Sequence, residues 1–165
     1  MDNWYWAVVA GLIFVGVCGG MWWRVGQRSR IRKELERLQK NFHREREHLE
    51  AHFVKRAGAS GRPRGLAWTD CEFADDVVYT RDRKSGELSA LVAVTIHFEA
   101  VEGGGMEEVE FVRAPRDATA VFRVDRGRWT TDGRAVMNLN PAETLRHFQS
   151  DLELVGEERR AASLH

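Results

Sequence analysis

The sequence predicts an α+β chain: an N-terminal transmembrane helix and helical stalk, then a small antiparallel β-meander domain covered by a C-terminal helix. Three observations carry this. Residues Trp4 to Trp23 include no charged side chain, and Ile31, Leu35, Leu38, Phe42 and Leu49 recur at helical spacing. From Leu66 to Thr131, apolar residues alternate between turn residues with no helical period.

The uncharged stretch 4–23 is 20 residues long. At ~1.5 Å per residue its helix matches the hydrocarbon thickness of a bilayer. Trp4, Tyr5 and Trp6 at one end and Trp22 and Trp23 at the other are placed to rest at the two headgroup layers. A cleaved secretory signal would begin with basic residues and end at a small-x-small site, and this start offers only Asp2. A lipoprotein reading fails at Val17, which is bulky just before Cys18. Arg24, Arg28, Arg30, Arg32 and Lys33 crowd the C-terminal flank, which puts the N-terminus outside and the rest of the chain in the cytoplasm, at the cell (inner) membrane. The same basic cluster can meet anionic lipid headgroups. Cys18 and Cys71 have no evident disulfide partner, which suits a reducing compartment.

Residues 24–56 read as a basic juxtamembrane region and an amphipathic or short coiled-coil helix, with Glu45 and His52 interrupting the seam. Gly16 and Gly20 in the span have the small-xxx-small spacing, so self-association through span and stalk is one reading. Residues 57–65, AGASGRPRG, break every periodicity and read as a flexible linker.

The domain proper is predicted over 66–155. A four-residue turn at Arg83–Gly86 sets Tyr79 opposite Ala90 and Val77 opposite Val92, and the apolar side continues into Val94, Ile96 and Phe98. The Gly103–Gly105 turn would then pair Phe98 with Val109 or Phe111 in a strand Glu107–Arg113, and Arg126-Gly127 would set Val124 opposite Trp129. Asn140, Pro141 and Glu143 form an N-terminal capping signature. Ala142, Leu145, Phe148 and Leu152 would line a helix running to Val155 and covering the apolar face. Residues 156–165 read as a disordered tail.

The chemistry is sparse. His97 and Glu99 share one face of a strand, with Glu108 and Glu110 on the expected neighbour, but simple alternation also puts polar residues there. Asp70, Asp75 and Asp76 surround Cys71 and make its thiolate unfavourable. No metal quartet, HExxH pattern or phosphate loop can be assembled, so no catalytic residue, metal or cofactor is assigned. The 25 Lys and Arg are balanced by 25 Asp and Glu, which argues against nucleic acid. The reading is a non-catalytic, single-pass interaction or scaffold protein, in contact with the bilayer and with a protein partner on the face of His97, Glu99, Glu108 and Glu110. The alternative is an enzyme or small-ligand receptor with a pocket between the curved sheet and the C-terminal helix.

Overall fold

The computed structural model describes residues 33–59, 66–100 and 114–159. A helix over 33–59 (α1) precedes strands β1 (Leu66–Asp82), β2 (Leu88–Ala100), β3 (Arg116–Asp125), β4 (Arg128–Thr130) and β5 (Ala135–Met137). A short helix, α2 (Pro141–His147), and a last strand, β6 (Leu152–Glu158), follow. The strands form one antiparallel sheet in the order β4-β3-β2-β1-β6, with β5 continuing the edge along β3. Among the described residues no helix is long and apolar enough to cross a membrane. The expected span, with Trp4, Tyr5, Trp6, Trp22 and Trp23, and the basic residues Arg24, Arg28, Arg30 and Arg32 lie outside the described residues. Lys33 is exposed at the start of α1.

The hairpin registers follow from local chemistry. Tyr79 pairs with Ala90 and Val77 with Val92. The turn between them is held by Gly86 N–H donating to the Asp82 carbonyl at 2.9 Å and Asp82 N–H donating to the Glu87 carbonyl at 2.9 Å. Val124 pairs with Trp129 across a two-residue turn. There Arg126 and Gly127 both have positive φ, the geometry whose twist matches that of paired strands. Beyond these hairpins, β2 pairs directly with β3, setting Ala90 against Phe122, Val92 against Ala120 and Val94 against Ala118. The expected strand Glu107–Arg113 and its pairing with Phe98 lie outside the described residues.

Val77, Tyr79, Ala90, Val92, Val94, Ile96, Phe98, Ala118, Ala120 and Phe122 are buried, so one face of the sheet is the core. What covers it differs from the expectation. The compact unit holding the sheet starts at Arg44, inside α1. From there Leu49, Phe53 and Ala57 are buried at steps of four. The ring of Phe53, with no exposed surface, sits 5.7 Å from Phe73, 5.8 Å from Phe122 and 6.3 Å from Trp68. Glu45, which a heptad count places on the seam, is exposed, and half-buried Arg46 takes the inward position instead. The reason is the period: a straight helix lying on a sheet follows 3.6 residues per turn, whereas a heptad follows 3.5. Helical structure also extends through residues 57–59, which were expected to be linker.

Arg46 fastens this helix to β1. It is held by Glu50 at 2.7 Å and donates through Nη1 to the Asp75 carbonyl at 3.0 Å and through Nη2 to the Ala74 carbonyl. Those carbonyls belong to the register shift between Phe73 and Val77, where the β1–β2 ladder is interrupted.

The C-terminal helix is shorter than expected and lies on the opposite face. Its capping box is as predicted, with Glu143 N–H donating to Asn140 Oδ1 at 2.9 Å and Asn140 N–H donating to Glu143 Oε2 at 3.0 Å. The helix stops at Phe148, and residues 149–151 turn the chain into β6, which pairs with β1 from Val77↔Glu158 to Asp82↔Leu152. Residues 152–155 are thus strand rather than helix, and Gly156–Glu158 are strand rather than disordered tail. The cause is the outer edge of Val77–Asp82, whose backbone groups gain partners only by strand pairing. Thr144, not Ala142, is the buried residue of α2; its hydroxyl donates to Thr119 Oγ1 at 3.0 Å, and Thr119 donates to the Leu139 carbonyl at 2.7 Å.

Phe53→Ala and Trp129→Ala, each removing a buried ring, are expected to cost roughly 3 to 5 kcal/mol in denaturant unfolding. A truncation to residues 66–159 is expected to lose cooperative unfolding. Cooperative unfolding with an unchanged midpoint would show that α1 is dispensable to the core.

Candidate functional site

Two places on the domain carry polar groups in an arrangement that packing alone does not require. The first is the expected acidic face. His97 and Glu99 do share one side of β2, and neighbouring β1 adds Asp70, the cross-strand partner of His97, and Glu72, whose Oε1 lies 3.8 Å from His97 Nε2. Further along, Thr95 donates to Asp117 Oδ1 at 3.1 Å. Glu99 and Glu72 are exposed and His97 is half-exposed, so this surface is solvated. Glu108 and Glu110 lie outside the described residues. Among the described residues no group of three or more His, Cys, Asp or Glu is placed to hold a metal ion. The helical pair His48 and His52 stacks on α1 with centroids 5.9 Å apart.

Cys71, half-buried beside this face, has its pKa pushed up to about 11, first by desolvation and then by the Asp70 carboxylate. Tyr79 is also shifted upward, by desolvation, by the negative charge of Glu158 and by a long hydrogen bond to Glu158 Oε2 at 3.5 Å, against an opposing pull from Arg46. Both groups remain protonated at neutral pH and are poor nucleophiles there.

The second place is a cleft of about 420 Å³ on the face opposite the core, between the sheet, the segment around α2 and the β1–β2 turn. The sheet register builds its floor. Arg123 pairs with Ser89 and Ser89 with Thr80, so a guanidinium and two hydroxyls form a row across β3, β2 and β1. Two residues further along β2, Leu91 pairs with Val121 to form an adjoining apolar row. Val136, Phe148 and Leu152 extend the apolar lining, and Arg134 stands at the rim.

Electrostatics in the cleft is largely paired off. Lys84 Nζ lies 2.9 Å from Asp151, raising the lysine pKa and lowering that of the aspartate. Arg123 lies 3.7 Å from Asp132. The Asp82 carboxylate accepts from Ser85 N–H at 2.7 Å, Lys84 N–H at 2.8 Å and Ser85 Oγ at 3.0 Å, and the Ser85 backbone is the largest cause of its lowered pKa. Two groups stand apart: among the described residues Arg134 has no ion-pair partner, and the Oγ1 of fully buried Thr80 has no hydrogen-bond partner.

Sequence reading missed Thr80, Ser89, Arg123 and Arg134. The available signal was register: Tyr79 opposite Ala90 already implies Thr80 opposite Ser89, on the side away from the core. No protein-family model matches the chain, and no curated protein and no solved structure matches it either.

The raised pKa of Cys71 has a definite sign in stability. A group that binds its proton more tightly when folded contributes stability that is fully present below its unfolded pKa and lost as pH rises through the folded value. Stability to denaturant is therefore expected to fall as pH rises from about 9 toward about 11. Cys71→Ser is expected to remove part of that slope, and a slope unchanged by the substitution would show that Cys71 is not responsible.

Proposed function

We propose that this chain is a single-pass, membrane-anchored, non-catalytic binding module whose sheet domain receives a small ligand in the cleft beneath α2. The observation that carries this reading is the cleft itself. Its volume of about 420 Å³ and its mixture of an apolar row, a guanidinium-and-hydroxyl row and an arginine at the rim suit a small-molecule site. Binding is favoured over reaction because, among the described residues, the lining of the cleft includes no histidine, cysteine or tyrosine to act as nucleophile or base. The anchor is supported by the uncharged stretch Trp4–Trp23 and its one-sided basic flank, which orient the domain toward the cytoplasm.

The acidic surface of Asp70, Glu72, His97 and Glu99 favours a second reading, a scaffold for a basic protein partner. Such association would weaken with salt, and charge reversal at Glu99 would slow encounter more than it speeds dissociation.

Two measurements test the proposal. A cysteine introduced at Ser60 is expected to resist an impermeant thiol reagent in intact cells, and efficient labelling would invert the topology. In thermal melts of the full chain against small-molecule panels, at least one compound is expected to raise the Tm, and Ser89→Trp, which fills the cleft, is expected to abolish that shift. A shift unaffected by Ser89→Trp would place binding elsewhere.

A further inference from the structure

The geometry points to a small organic monocarboxylate as the ligand, its carboxylate on the Arg123–Ser89–Thr80 row with Arg134 and its apolar body on Leu91 and Val121. This rests on the cleft reading above. The register supplies the first part of the argument. Arg123, Ser89 and Thr80 are successive cross-strand partners, so one cation and two hydroxyl donors stand side by side, one strand spacing apart. A carboxylate accepts from all three kinds of donor, and an ionised acceptor makes the stronger hydrogen bonds.

The unsatisfied groups supply the second part. Thr80 is fully buried at the closed end of the row and its Oγ1 has no partner among the described residues, a condition that costs roughly 1 to 3 kcal/mol in a folded protein. Thr80 has no exposed surface, so an acceptor oxygen reaches the hydroxyl only if the side chain or its cover shifts, and that contact would remove the cost. Arg134 at the rim is likewise without an ion-pair partner among the described residues.

Charge then selects among anions. Asp82, Glu87, Asp132 and Asp151 share the same cleft, and only Asp132 and Asp151 have cationic partners in Arg123 and Lys84. With Lys84, Arg123 and Arg134 set against these four carboxylates the lining carries one net negative charge, so a dianion such as phosphate is repelled more than a monoanion, whose carboxylate has to sit beside Arg134 and Arg123. The adjoining Leu91–Val121 row offers a small inorganic ion nothing, but it rewards an alkyl or aryl body.

The test titrates the full chain in detergent with hexanoate, hexan-1-ol and inorganic phosphate, read by calorimetry and by Tm. Hexanoate is expected to bind saturably and about tenfold or more tighter than hexan-1-ol, with no heat from phosphate. Arg134→Gln is expected to weaken hexanoate roughly tenfold. Thr80→Val, which keeps the shape and removes the orphan hydroxyl, is expected to leave the Tm of the free chain unchanged or raised while still weakening hexanoate. Wild-type affinity in both variants would overturn the assignment, as would phosphate binding as tightly as hexanoate. A hexanoate signal that persists in Ser89→Trp is partition into detergent and also overturns it. If hexanoate fails while another compound binds and is lost in Ser89→Trp, the ligand class is wrong and the cleft reading stands.

Discussion

The burial of Phe53 is the contact on which the rest of the domain depends. An antiparallel sheet with one continuous apolar face cannot leave that face in water, and the face running from Phe73 through Val92 to Phe122 needs a cover of matching width. α1 supplies it with Leu49, Phe53 and Ala57, and Phe53 alone meets aromatic rings from β1 and β3. The fit is close at the C-terminal end of the helix. Gly133, at φ 78°, lies so near that a Cβ there would stand 2.8 Å from Arg56 C and would overlap Ala57 N. A glycine is required at that point both by the backbone angle and by the approach of the helix.

Because the helix preceding the sheet takes the core face, the helix between β5 and β6 is left with the other one, and the two faces have different characters. The core face is apolar and filled. The opposite face is partly covered by the seven-residue α2, whose contact with the sheet is a chain of threonine hydroxyls from Thr144 to Thr119 to the Leu139 carbonyl. A helix this short leaves the neighbouring strand positions uncovered, and the cleft forms there. The polar row on its floor is a product of register, since three residues unremarkable in sequence become neighbours only when β1, β2 and β3 pair as they do.

What could be read from the sequence was local. The turn at Arg83–Gly86, the tight turn at Arg126-Gly127 and the Asn140 capping box each have their determinants within a few residues, and each is present. What could not be read was long-range. Phe53 and Ala57 extend the apolar stripe of α1, yet nothing near them says that the partner is a sheet whose last core strand lies some seventy residues on. Leu152 and Leu154 fit either a helix or a strand over so short a run, and the choice was made by the open edge of β1. For the candidate sites, alternation alone placed His97 and Glu99 together on β2. The cleft stayed hidden because its walls come from α2 and from the segment after it, whose course follows from the pairing of β6.

That pairing also has a kinetic side. β6 closes the sheet by joining residues 152–158 to residues 77–82, so one edge of β1 remains a bare strand until nearly all of the domain has been synthesised. Contacts so distant along the chain are slow to form, because the loop between them must be closed before any pairing energy is gained. In the interval the nascent β1 presents the contiguous apolar run Val77, Val78 and Tyr79 beside an unpaired backbone, the kind of edge that recruits other chains. The domain's vulnerability to aggregation is therefore concentrated in its assembly, at a position that the finished structure keeps fully paired.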